Sequence, residues 1–292
     1  MRITQASVHK GVQSNLQASL ARLTKLQEQL SSGKAINRPS DSPTSAVAAL
    51  RYRSDIRRSE QLKRNADDAV GWLDATDRAL SAESTITLRA RDLLLQGINA
   101  SSGPDERAAL AEEVDRLRES ALAAANTSYL GRPIFGGTTT TPNAYDAGTG
   151  AYVGDTNAIQ RSIAPNVAVQ ANVTGVDAFG PPGADLFKLL DDIADHLRSG
   201  SAAMSSDLTA LDAARQRISN TLATVGARTN QLEDVRGRVD EGMLDAQTAL
   251  SNVESIDLPA TVMQLQLQEV AYQAALSATS RVIQPSLVDF LR

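Results

Sequence analysis

Acidic side chains stand in adjacent pairs along this chain, among them Asp67 with Asp68, Glu112 with Glu113 and Asp191 with Asp192. Two carboxylates can divide the work of general acid and general base, or hold a divalent cation, only where they converge on one point. Adjacent positions on a helix face different ways. Helical spacing surrounds all three pairs, so they read as solvated surface. Imidazole is available only at His9 and His196, far apart on polar helix faces, and cysteine is absent. Disulfides and thiolate metal sites are therefore excluded. No glycine-rich phosphate loop follows a strand, and "GVDAFGPPG" at 175–183 reads as a turn-rich exit. These residues predict no catalysis, no cofactor, no metal and no small-molecule substrate.

Elements rather than sites carry the information. The 292 residues suffice for two modest domains. A net charge of -5 offers no basic face for nucleic acid. The first twelve residues, MRITQASVHKGV, lack the apolar core of a signal peptide, and no run is long enough to span a bilayer. Aromatic residues make up only 3% of the chain, fewer than an enzyme of this size uses to build pockets. Abundant alanine, leucine, glutamine and serine point to long helices packed side by side.

The strongest periodicity runs from Met204 to Val253. Alternate steps of four and three connect Leu208, Leu211, Arg215, Ile218, Leu222, Val225, Thr229, Leu232, Arg236 and Val239 and continue to Val253 without a slip. That spacing predicts one helix of roughly 75 Å with a coiled-coil seam. A second series follows Pro259: Leu258, Val262, Leu265, Glu269, Tyr272, Leu276, Thr279 and Ile283. Near the start the same spacing gives Leu16, Leu20, Leu23, Gln27 and Leu30. A third long segment, from about Thr44 to Ala100, carries Leu62, Ala66, Ala69, Leu73, Thr76 and Leu80. "SGPDER" then predicts a fresh start capped by Ser102 or Asp105, with a helix to about Ala125.

Between Gly131 and Gly183 the texture changes. Nine of the eighteen glycines and five of the ten prolines fall here, and "IQRSI" and "VAVQANV" alternate in the strand manner. The fold predicted is mainly α: a long antiparallel coiled-coil bundle with N- and C-terminal helices paired, plus a small β-rich insertion. Residues 1–40 with 256–292 form a terminal coiled coil in this reading, 41–130 with 184–255 a long-helix bundle, and 131–183 an outer insertion domain.

The terminal helices are poor in charge. Residues 1–32 and 257–292 hold five charged side chains each, against twelve in 204–253. A helix with one buried face keeps a charged outer face. Helices lacking one want burial on more than one side, and neighbouring copies of the chain are the natural supplier.

"LSSGKAINRPSDSP" at 30–43 interrupts the helical pattern. Gly33 suits a left-handed helix end, and Ser42 before Pro43 suits a helix start. Those two account for the turn and leave "KAINRPSD" as a polar loop of a length that could reach a neighbouring subunit. This stretch resembles the segment that follows the N-terminal helix in the flagellin superfamily, with its LSSG, a basic residue, IN, and then small and acidic residues. "LRARDLLLQGINAS" at 88–101 and the C-terminal heptads extend the resemblance over the whole chain. "MRIT", "NRPSDSP", "GRPIFGG", "IQRSIAPNVAVQANVTG" and "LVDFLR" are most similar to the hook–filament junction branch of that superfamily.

The resemblance implies an extracellular structural subunit, exported unfolded through the flagellar type III apparatus and forming a ring between hook and filament. Its partners would be copies of itself, the other junction protein, flagellin, and an export chaperone at the C-terminal region. The interface residues implied are Leu16, Leu20, Leu23, Leu30, Gly33, Asn37, Arg38 and Asp41, together with Leu258, Val262, Leu265, Tyr272, Leu276, Ile283, Leu287 and Phe290. Bulk flagellin is the nearest rival, disfavoured by the chain's two ends. A cytoplasmic signalling coiled coil is more remote, because such a hairpin turns at a short tip and has no use for a 53-residue insertion. Arg89 and Arg91 would form intersubunit salt bridges or stand solvated.

Overall fold

The computed structural model describes residues 5–99, 103–165 and 167–283. Among these residues, seven helices and two small sheets follow in the order α1 (Gln5–Ser32), α2 (Pro43–Ile98), α3 (Pro104–Ala125), β1 (Ser128–Tyr129), β2 (Arg132–Pro133), β3 (Gln160–Ala164), β4 (Val167–Gln170), α4 (Gly175–Phe179), α5 (Leu186–Ser199), α6 (Met204–Glu254) and α7 (Leu258–Ile283). This is the helical bundle with a small β insertion that the periodicity predicts. Gly33 ends α1 at φ 69°, in the left-handed region. The Ser42 hydroxyl accepts from the Ser45 amide at 3.4 Å, capping α2 ahead of Pro43. At α3 the expected cap is not used: Gly103 holds the N-cap position, Ser102 lies outside the described residues, and Asp105 sits inside the first turn. Pro104 already sets the entry angle, so Asp105 and Glu106 serve the positive end of the helix instead.

Two compact units divide the chain: residues 1–58 with 243–292, and 59–242. In the second, Ala66, Ala69, Leu73, Thr76 and Leu80 of α2 are all buried, and the same heptad continues through Glu83, Thr87, Ala90 and Leu94. On α6 the period is right and the register half right. Leu211, Ile218, Val225 and Leu232 are buried as expected, yet their alternates are Ala214, Thr221 and Val235 rather than Arg215, Leu222 and Arg236. Each expected alternate lies one residue beyond the observed one and flanks the seam. Close approach favours the small side chain at the contact and leaves the long cation at its edge. Leu208 and Leu222 are half-buried there.

The segment 131–183 shares this unit's core. Tyr145 lies 4.6 Å from Phe187 and 5.9 Å from Phe179, centroid to centroid, and Phe135 packs edge-on against Phe179 at 4.9 Å. The few aromatics of the chain are thus concentrated where helices alone leave an irregular gap. The sheets are only antiparallel pairs, β1 with β2 and β3 with β4. Side chains replace missing ladders. Asn126 accepts from the Ala144 and Tyr145 amides and donates to the Tyr145 carbonyl, while Asn172 accepts from the Ile159 amide at 2.8 Å. Asp155 accepts from the Thr138 hydroxyl at 2.7 Å and from two backbone amides, and its pKa falls to about 2, led by that hydroxyl. The turn-rich exit at 175–183 proves partly helical: α4 is capped by Thr174, whose hydroxyl accepts from the Asp177 amide.

Glu83 places a carboxyl group in the core. It is fully buried at a heptad position, and neither carboxylate oxygen has a hydrogen-bond partner. Burial alone raises its pKa well above the usual range. A folded-state pKa above the unfolded one means the folded chain binds the proton more tightly. This group's contribution is therefore most favourable below the unfolded value and is lost as pH rises toward the folded one. Glu83→Leu should raise the melting temperature at neutral pH by the equivalent of about 1–3 kcal/mol, with a smaller gain near pH 4. Equal gains at both pH values in thermal denaturation would refute it.

Candidate assembly interface

The first unit is built on the pairing of α1 with α7. The Gln268 amide donates to the Ser19 hydroxyl at 2.7 Å and to the Ser19 carbonyl at 3.3 Å, crossing the pair at mid-length. At its end Lys34 and Ser255 form an antiparallel bridge, and the Ile256 amide donates to the Gly33 carbonyl. The helices therefore run antiparallel.

The seam of this pair is Leu16, Ser19, Leu23, Leu26 and Leu30 against Thr261, Leu265, Gln268, Tyr272, Ala275 and Thr279, all buried or half-buried. Of the residues singled out from sequence, Leu16, Leu23, Leu30, Leu265 and Tyr272 belong to it. Leu20, Leu258, Val262 and Leu276 do not; they are exposed by 47%, 57%, 36% and 44%. Gln27 and Glu269 are exposed as well, with Leu26 and Gln268 in their places. As on α6, the period is right and the register shifts by one residue, with Ser19, Thr261 and Ala275 in the seam where Leu20, Val262 and Leu276 were expected. Ile283 ends α7, and Leu287 and Phe290 lie outside the described residues.

The outer face of α7 is consequently apolar. Met263, Leu267 and Val270, exposed by 59%, 65% and 65%, add a second stripe beside Leu258, Val262 and Leu276. Sequence reasoning missed these three, although their four-then-three spacing was there to be read. Each gains roughly 1.5–3 kcal/mol if fully buried against a neighbour. An exposed apolar face of this kind is a candidate interaction surface.

The loop from Gly33 to Ser42 is tied down within its own unit. Asp41 accepts from the Asn37 and Arg38 amides at 3.2 and 2.9 Å and pairs with Lys25 at 3.0 Å. The Lys25 contact is the main reason its pKa is lowered, with the Arg38 amide second. Arg38 reaches Glu28 at 3.4 Å, and the Gln29 amide donates to the Ala35 carbonyl at 2.8 Å. At the loop's other side Glu254, only 8% exposed, receives Arg53 at 2.6 Å and Lys34 at 3.5 Å, while its carbonyl accepts from the Ala35 amide. Asn37 and Arg38 are thus brought onto Asp41, which Lys25 holds, while Arg53 and Lys34 close on Glu254 and Gly33 meets Ile256 instead. No local pattern announces those partners, which lie 16 residues or more from the groups they meet. Arg38 remains exposed on the loop's outer side, its charge open to a second contact.

The residues that suggested chemistry are structural. Asp67 and Asp68 pair with Arg236 and Arg161, Glu113 with Arg89, and Asp191 and Asp192 with Lys188. Arg91 pairs with Asp212 at 2.8 Å, so both arginines are bridged within the chain, where bridges between subunits or solvated side chains were expected. His196 Nδ1 lies 2.6 Å from the Asp207 carboxylate and is only half-exposed, rather than solvated.

Residues 3–140 match the family described as the bacterial flagellin N-terminal helical region. Flagellar hook-associated protein 3 of Escherichia coli is 25% identical, covering 95% of this chain and 96% of its own. Over its N-terminal 138 matched residues the chain is similar to the flagellin family. A flagellin of Halalkalibacterium halodurans is also 25% identical, over 89% of this chain and 88% of its own, which shows how close the family's branches lie. A solved structure of a flagellar hook-associated protein from Vibrio parahaemolyticus shares the fold, with a TM-score of 0.67 at 21% identity over 74% of this chain and all of that one. Family and fold are those of structural flagellar proteins.

Proposed function

We propose that this chain is the structural subunit of the hook–filament junction of a bacterial flagellum, assembled outside the cell as a ring of identical copies. The observation that carries the reading is the apolar outer face of α7, exposed among the described residues. Hook-associated relatives covering nearly the whole chain favour the junction over the bulk filament. In this reading α1 and α7 line the inner tube, and the loop at 33–42 links inner and outer layers. Copies of the chain, the other junction protein and flagellin are its neighbours. An export chaperone shields the α7 region before secretion in the unfolded state. No catalytic role is assigned.

Deleting the gene should give cells that build hooks, lack filaments and lose flagellin to the medium. Electron microscopy of cells with immunoblotting of the medium reads this directly. Intact filaments on the deletion strain would overturn the junction reading.

A further inference from the structure

Leu130 is unfavourable where it stands in two ways at once. It is the one non-glycine residue with positive φ among the described residues, at 49°, and it is 79% exposed. With Gly131 at φ 77° it makes the two-residue turn between β1 and β2, where asparagine or glycine suits the backbone and leucine strains it. The hairpin beneath it is anchored. Tyr129 meets Trp72 of α2 edge-on at 5.8 Å, and the Arg132 guanidinium lies 5.8 Å from the centre of a Trp72 ring. A strained apolar side chain held out on an anchored support is a knob without a hole.

α2 of the same unit presents a hole without a knob. Leu88 and Leu95 are exposed by 43% and 36%, with Arg91 and Asp92 between them. Four residues spaced i, i+3, i+4 and i+7 are the set that surrounds a leucine in knobs-into-holes packing. Asp212 fixes Arg91 at the rim. The knob does not face this hole within its own chain. Trp72, which seats the hairpin, stands one residue before the buried Leu73, whereas Leu88 and Leu95 stand one residue after the buried Thr87 and Leu94. One residue turns the helix by about 100°, so hairpin and hole flank the buried seam on opposite sides. They are also separated by roughly 24 Å along the axis, from Trp72 to Leu88. A knob on one flank and a hole on the other make a head-to-tail contact between copies, the kind that closes a ring.

We propose that Leu130 of one copy seats among Leu88, Arg91, Asp92 and Leu95 of a second copy of this chain. The inference rests on the ring reading above and names a contact within it. Burial of the leucine between copies then offsets the strain of its turn.

The chain has no cysteine, so introduced thiols report the contact directly. Leu130→Cys with Leu88→Cys in the full chain is supplied to the deletion strain beside the parent chain, so that filaments form. Isolated flagella treated with a short bis-maleimide should then give a cross-linked dimer of this chain on immunoblots, and neither substitution alone should. Leu130→Asn separates the turn from the contact. It should raise the melting temperature of the purified chain by about 2–4 °C, because asparagine tolerates positive φ. In cells carrying only that variant each contact should weaken about ten-fold or more, and filaments should be shed. No dimer from the paired thiols, a dimer from Leu130→Cys alone, or filaments retained with Leu130→Asn would overturn this contact and leave the junction reading intact. Filaments on the deletion strain itself would overturn the reading on which it rests.

Discussion

Replacing Ile218 by aspartate should unfold the second unit. Ile218 is 1% exposed in the α6 seam, between Leu211 and Val225, each as buried as it is. An unpaired carboxylate there costs about 3–5 kcal/mol. The lost isoleucine burial adds roughly 2 kcal/mol. Together these approach the whole stability of an ordinary domain, about 5–15 kcal/mol. The purified variant should lose most of its helical circular dichroism at 25 °C or melt far below the parent. Leu222→Asp, one turn on, is the informative contrast. Leu222 is half-buried at the edge of the seam. Its aspartate can turn to water, so the loss should stay near 1–2 kcal/mol. Equal damage from the two substitutions would show that the seam does not have this register.

The second large effect separates folding from assembly. Leu267→Asp with Val270→Asp alters two side chains each 65% exposed on α7. In the isolated subunit the melting curve should move by no more than about 0.5 kcal/mol per site, as for surface changes away from special contacts. In the assembled state, the same positions carry charges into an apolar contact repeated at every copy, and filaments should be shed or never form. Leu265→Asp is the control, because Leu265 lies in the α1–α7 seam and should damage subunit and assembly alike. Normal filaments on cells carrying the Leu267→Asp, Val270→Asp chain would mean that this face stays in water. A subunit that melts early would mean that it is already covered within the chain.

Five of the seven helices among the described residues, with their order and period, were legible in the sequence, because burial on a helix recurs every three to four residues whatever the partner, while α4 and α5 were not read from it. The heptads of α2, α6 and α7, the end of α1 at Gly33 and the start of α2 at Pro43 all follow from local rules. So does the β-rich texture of 131–183, written in glycine and proline. The shortage of charge at the two ends was legible too, and on α7 the structure sets exposed apolar residues there. Tertiary structure alone decided which way each seam turns. Leu20 or Ser19, Leu222 or Thr221, and Leu276 or Ala275 differ by a single position within one period, and interaxial distance selects the smaller residue. Tertiary structure also decided the partners of the loop. Asp41 was read as a contact for a neighbour, and the fold gives it first to Lys25 and to the loop's own amides. Glu254, closing the loop's other side on Arg53 and Lys34, is separated from both by about two hundred residues. Pairing across such a separation depends on where two helices come to lie side by side, which no local pattern encodes.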